Sequence, residues 1–153
     1  MLHVANPSRG LNLREILPST QFFGSDEIFV RSVCSDSRQC REGDLFGALV
    51  GVADDGHDHV ATAVERGASA IVAERLLPTS TPLCVVEDTR EAFGYICQAL
   101  AGNPAEKLPT IGVTGSIGKT VTSLLLASIF EAAGTTAGVT STIAHSDSVE
   151  MSA

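Results

Sequence analysis

Apolar positions along this chain change period several times, and each change marks an element. Residues 11–17, LNLREIL, place Leu13, Ile16 and Leu17 on one side of a short amphipathic helix. Residues 28–34, IFVRSVC, alternate in part and predict a strand. The polar stretch Ser35-Asp36-Ser37-Arg38 ends it, and Gly43-Asp44 opens LFGALVG, an apolar run of strand length. Residues 52–58 form a polar, glycine-containing loop. Residues 59–66, HVATAVER, predict a helix, with Val60 and Val64 four apart and Gly67 where a helix commonly stops. SAIVAE (69–74) and LCVVE (83–87) predict strands, separated by the Pro/Ser/Thr loop 77–82. Asp88-Thr89-Arg90-Glu91 resembles a capping box and opens a helix to about Leu100, closed by Gly102-Asn103-Pro104. Strands alternating with helices predict an α/β fold with parallel pairing.

Residues 103–109 carry two prolines, mixed charge and no apolar period. This predicts a boundary, with one domain over residues 1–105 and a second unit over 106–153. The second unit reads as a strand at 110–114, a glycine-rich turn, a helix at 119–133 stopped by Gly134, and a strand near 137–143. One strand–helix–strand cannot cover both faces of a parallel sheet. Leu124, Leu125, Leu126, Ile129 and Phe130 also offer more apolar surface than two short strands bury. The expectation is a complete small N-terminal domain followed by the opening of a larger one.

Composition narrows the function classes. Among 153 residues, 10 Lys and Arg face 18 Asp and Glu, a net charge of −8. That argues against a basic face for nucleic acid and against docking on an anionic membrane. With 44% hydrophobic and 18% charged residues the chain is too apolar for disorder. Fourteen glycines, one Tyr and no Trp fit tight turns and a core of small aliphatics. No apolar run reaches the roughly 18 residues that span a bilayer. The N-terminus lacks a basic stretch followed by an apolar one, so a cytoplasmic location is expected. Cys34, Cys40, Cys84 and Cys97 show no C-x-x-C spacing and are expected as reduced thiols, not as a disulfide framework or zinc site. Asp54-Asp55-Gly56-His57-Asp58-His59 is spaced too tightly for a zinc cage and reads as a solvated loop entering a helix.

The strongest chemical signal is Thr114-Gly115-Ser116-Ile117-Gly118-Lys119-Thr120, between an apolar segment and a helix. Glycines let backbone N–H groups approach a polyphosphate, and the helix start adds its positive end. Lys119 can reach the outer phosphates and Thr120 can ligate Mg²⁺. The strict G-x-x-x-x-G-K-[ST] spacing is not met, because Val113 stands where the first glycine belongs. The plainer alternative is a strand-to-helix turn with an incidental lysine. The G-K-T triplet at a helix start speaks against it.

T-G-x-x-G-K-T without the upstream glycine resembles the loop of the Mur ligases, the ATP-dependent amide ligases of peptidoglycan synthesis. The N-terminal part is similar to their uridine-binding domain independently, through Asp36-Ser37-Arg38, Gly43-Asp44-Leu45-Phe46, Ala48-Leu49-Val50-Gly51, Asp55-Gly56, Gly67-Ala68, residues 70–74 and Asp88-Thr89-Arg90. The resemblance runs from about residue 28 to about 143. Ile111-Gly112-Val113-Thr114-Gly115, the run Ala101-Gly102-Asn103-Pro104 and the glycines after the helix look most like the MurE type. The MurF type shares the D-[ST]-R and G-D-L-F motifs.

The resemblance implies an α/β fold: a small uridine-binding domain, then the first strand, phosphate loop, helix and strand of a Mur-ligase ATPase domain. It implies that Ser35 and Ser37 lie where the uracil and ribose of a UDP-sugar are held. Val52, Ala53 and Asp54 would lie in the loop covering the uridine. Gly115, Ser116, Ile117, Gly118, Lys119, Thr120 and Val121 match the ATP loop, with Lys119 and Thr120 acting on phosphoryl transfer and Thr120 on Mg²⁺. The family usually has Asn where Ile117 stands and a polar residue, often His, where Val52 stands. The implied reaction joins diaminopimelate or L-lysine to UDP-MurNAc-L-Ala-D-Glu through an acyl phosphate. Its implied partners are that UDP-sugar peptide, ATP and an amino acid. Further Mg²⁺ ligands and the amino-acid pocket are expected beyond Ala153, so the chain alone is expected to be inactive. A MurF-type ligase adding D-Ala-D-Ala, a non-catalytic uridine-nucleotide module and an unrelated kinase are the alternatives. The N-terminal motifs speak against the last.

Overall fold

A computed structural model describes residues 3–5, 10–25, 27–52, 54–141, 145–146 and 151–152. It contains two compact units, residues 1–108 and 109–153. The first unit runs β1 (His3–Ala5), β2 (Leu11–Asn12), α1 (Leu13–Ile16), β3 (Gln21–Phe23), β4 (Phe29–Val30), β5 (Ser32–Cys34), β6 (Leu45–Gly47), α2 (Val60–Glu65), β7 (Ala70–Ala73), β8 (Leu83–Val85) and α3 (Thr89–Leu100). The second holds α4 (Lys119–Ala132) and a small ladder of β9 (Val139–Thr140), β10 (His145–Ser146) and β11 (Met151–Ser152).

Six strands of the first unit form one sheet in the order β1-β5-β6-β7-β8-β3. The four inner strands are parallel, with Val33 opposite Leu45, Leu45 opposite Ala70 and Ile71 opposite Leu83. β1 and β3 close the edges antiparallel. Every residue of β7 is buried, as expected for a parallel strand covered on both faces. Side chains therefore alternate between two cores. Val33, Leu45, Ala70, Val72 and Cys84 pack with Leu13, Phe93 and Ile96 from α1 and α3. Cys34, Phe46, Ile71, Ala73 and Leu83 pack with Val60 and Ala63 from α2.

Helix α3 starts where Asp88 accepts hydrogen bonds from the N–H groups of Arg90 (2.7 Å) and Glu91 (3.0 Å). It buries Ala92, Phe93, Ile96 and Leu100 at helical spacing. Phe93 lies over Gly47, where an added Cβ would come within 2.5 Å of the ring. Glycine is therefore required in this strand by the aromatic above it.

Several elements differ from the sequence reading. The helix expected over 11–17 is a single turn, because Leu11 and Asn12 pair with β4 and Asn12 caps the turn through Arg14 N–H. The strand expected over 28–34 divides at Arg31, since its halves join different sheets. In the second unit, residues 110–114 form no strand and Ile111 is exposed. A strand is stabilised by its ladder, and no described strand lies beside this segment. The strand expected near 137–143 is the two-residue β9; residues 142–144 lie outside the described residues. Helix α4 forms as expected, yet buries none of its residues. Among the described residues no helix is long and apolar enough to cross a membrane.

Candidate functional site

The polar turn after β5 is organised by Asp36. Its carboxylate accepts from Arg38 N–H at 3.0 Å and starts a 3₁₀ turn at Ser37–Gln39. The Arg38 guanidinium forks onto the same carboxylate at 3.0 and 3.1 Å. These bonds, the side-chain fork first, hold the Asp36 carboxyl below its ordinary range. Ser37 is buried beneath the turn.

A second loop lies between β6 and α2. Val50 and Asp55 form an isolated antiparallel bridge, and Gly51 N–H donates to the Asp54 carbonyl at 2.8 Å. Arg90, in the first turn of α3, donates twice to the Val50 carbonyl, at 3.1 and 2.7 Å. Both Asp54 carboxylate oxygens are 3.0 Å from His59 Nε2. The two loops share a cavity of about 410 Å³, lined by Ser35, Asp36, Ser37 and Arg38 together with Gly51, Asp54 and His59, over Phe46 and Leu49.

Ser35, Ser37 and Asp54 are thus brought together. Val52 is not: its side chain is fully exposed and lines no part of this cavity. The constraint comes from the Gly51–Asp54 turn, which holds the loop by backbone bonds. Ala53 lies outside the described residues. Sequence reasoning did not assign a site role to Asp36 or Arg38, although the D-S-R motif contained both, and set His59 aside with the 54–59 cluster.

It also set aside His57, whose side chain is completely buried. His57 Nδ1 lies 2.5 Å from Asp55 Oδ1, and Nε2 accepts from Glu74 N–H at 2.9 Å. This pairing assigns the neutral ring with its proton on Nδ1. Asp55 also accepts from His57 N–H and from Arg75 at 3.1 Å. The His57 backbone bond, the ring and Arg75 together press the Asp55 carboxyl well below its ordinary range. The relay ties the cavity's loop to the end of β7. The signal was the Asp-Gly-His spacing, with a carboxylate two residues before an imidazole.

A wider cavity of about 620 Å³ lies near α1, β8 and the start of α3, with Glu74, Glu87, Asp88 and Glu91 on its wall. Glu74 is committed to Thr89 and Asp88 to capping α3, so these two acids serve the fold.

The second unit contains the glycine-rich turn. Gly115 and Gly118 have φ of +149° and +83°, conformations that favour glycine. Gly118 precedes helix α4 and supplies no side-chain cap. A glycine at this position gives the first backbone N–H groups of the helix no side-chain acceptor. Lys119 Nζ donates to the Gly115 carbonyl at 2.6 Å, folding over the turn. Ser116, Ile117 and Val121 are exposed and Thr120 is half-buried.

A family model described as Mur ligase family, catalytic domain, matches residues 30–99, which include both cavity loops. Residues 30–99 carry a Mur ligase family domain. A relative from Bacillus licheniformis, UDP-N-acetylmuramoyl-L-alanyl-D-glutamate--2,6-diaminopimelate ligase, is 37% identical over 122 residues, 80% of this chain and 25% of the relative. Among solved Mur ligases, a UDP-N-acetylmuramoylalanyl-D-glutamyl-2,6-diaminopimelate--D-alanyl-D-alanyl ligase from Acinetobacter baumannii superposes with a TM-score of 0.58 at 31% identity, covering 78% of this chain and 27% of that one. A solved UDP-N-acetylmuramoyl-L-alanyl-D-glutamate--2,6-diaminopimelate ligase gives a TM-score of 0.71 over 94% of this chain and 30% of its own. At 21% identity that likeness concerns the Mur ligase fold. The chain spans about a quarter of the length of the curated Mur ligase relative.

Proposed function

We propose that this chain carries the UDP-sugar site and the phosphate loop of an ATP-dependent Mur ligase of the MurE type. The parent reaction joins diaminopimelate or L-lysine to UDP-MurNAc-L-Ala-D-Glu. The observation that carries the reading is the shared cavity of the 35–38 turn and the 51–54 loop, inside the family-matched segment. Residues 1–105 are assigned to the UDP-sugar and 106–153 to the opening of the ATP-binding domain. Ser35 and Ser37 offer hydroxyls to the uridine, and the loop of Val52, Ala53 and Asp54 covers it, with Val52 contributing backbone alone.

Gly115, Ser116, Ile117, Gly118, Lys119, Thr120 and Val121 cradle the ATP phosphates. The positive-φ glycines and the uncapped start of α4 fit that role. Lys119 gives up the Gly115 carbonyl and neutralises phosphate charge; Thr120 is the Mg²⁺ ligand. The ion, when bound, screens two anions that must approach each other. The substrate carboxylate takes the γ-phosphoryl group and ADP departs. The amine of the incoming amino acid then attacks the acyl phosphate, forming the amide and releasing phosphate. Substrates of this kind place the reaction in the cytoplasm.

The test is Lys119→Ala in the full-length parent. ATP turnover is expected to fall by at least ~10²-fold while UDP-sugar binding stays within about twofold, read by calorimetry. Retained turnover refutes the phosphate-loop assignment. A MurF-type parent adding D-Ala-D-Ala is the second reading, motivated by the likeness to the Acinetobacter ligase. Product analysis with each amine distinguishes the two.

A further inference from the structure

Cys34 ends β5 and Cys40 follows the 3₁₀ turn, so the two thiols bracket residues 35–39, of which 35–38 wall the cavity. Both are buried, as is Asp44. The two Sγ atoms and a carboxylate oxygen of Asp44 all lie within 4.8 Å of one another. Asp44 is held in place, with one oxygen accepting from the Ser32 hydroxyl and the other from Arg41 N–H at 2.9 Å. Cys84 bonds the Thr20 hydroxyl at 3.3 Å, and Cys97 lies on α3 with its own packing.

We propose that Cys34, Cys40 and Asp44 form a binding site for a soft divalent cation of the zinc and cadmium class, seated behind the 35–38 turn. Two thiolates and a carboxylate are a donor set that such ions select over Mg²⁺ or Ca²⁺. Burial raises both thiols, which disfavours either thiolate alone. A divalent ion changes that balance. It enters with charge +2 and two thiol protons leave to solvent, so the buried net charge is unchanged. Nothing is oxidised or reduced. Three protein donors leave one tetrahedral position for an exogenous ligand. The ion would staple together the two ends of the turn that walls the cavity. This inference does not depend on the uridine reading.

Cd²⁺ added to the fully reduced chain tests it, followed by thiolate-to-cadmium ultraviolet absorption and by titration of reactive thiols after mild denaturation. One Cd²⁺ per chain is expected, protecting two of the four cysteines. The variant C84A/C97A is expected to keep the absorption and the single-ion stoichiometry. Cys40→Val is expected to lose both, with an unchanged circular-dichroism spectrum. Loss of absorption in C84A/C97A overturns the proposal, as does its survival in folded Cys40→Val or its absence from the unmodified chain. If Cys40→Val fails to fold, C84A/C97A decides alone, because only Cys34 and Cys40 remain there to bind.

Discussion

The sheet of the first unit and helix α4 of the second are both rich in apolar residues and differ in how far these are buried. β7 buries all four of its residues between two layers. α4 buries none of its 14, and Leu125 and Ile129 are 59% and 63% exposed. Apolar spacing therefore foretells a face but not what covers it. Where strands from distant parts of the chain supply the cover, as Val33, Leu45 and Ala70 do across three strands, the pattern becomes a core. Most stabilisation comes from such burial, so the two regions should respond unequally to the same kind of truncation.

The sharpest contrast is Ile96→Ala. Ile96 is completely buried, and its truncation should cost about 2–5 kcal/mol in urea unfolding followed by circular dichroism. A smaller loss would mean that the core relaxes around the cavity. Gly47→Ala adds one methyl where the Phe93 ring already sits, and should cost about 1–3 kcal/mol. The Asp55 carboxyl is depressed in the fold, so its contribution is complete above the unfolded carboxylate range. It is lost as pH falls below about 4 and through the lower folded value. Asp55→Asn should therefore flatten the acid side of the profile and lower the neutral and alkaline side by a constant amount, read by urea unfolding across pH. Leu125→Ala should change unfolding free energy by less than about 0.5 kcal/mol. A cost near that of Ile96 would erase the contrast between the two regions.

The inner strands were legible because both of their faces are apolar and glycines or polar loops bound them. The edge strands His3–Ala5 and Gln21–Phe23 were not, because at three residues each they offer no period to read. The strand expected at 110–114 had the apolar content but lacks a described neighbour to pair with. At the cavity, Ser35 and Ser37 stood out through their motif. The cavity role of Arg38 and the buried setting of His57 did not, because both depend on three-dimensional contacts. Arg38 looks like any exposed basic residue until its fork onto Asp36 is seen. The meeting of Cys34 with Cys40 was equally hidden, since a six-residue spacing across a turn belongs to no metal motif.

The alternation in β7 has a consequence for how this sequence can drift. Ala70 and Val72 serve one core while Ile71 and Ala73 serve the other, so the strand behaves as a parity code. Inserting one residue after Ala70 would exchange the two memberships from that point onward, sending Ile71 into the slot of Val72 and Val72 into that of Ala73. The loop at 77–82 carries no such parity and can absorb length of any count. Length variation among descendants of this chain should therefore collect in the loops and leave the strand at four residues.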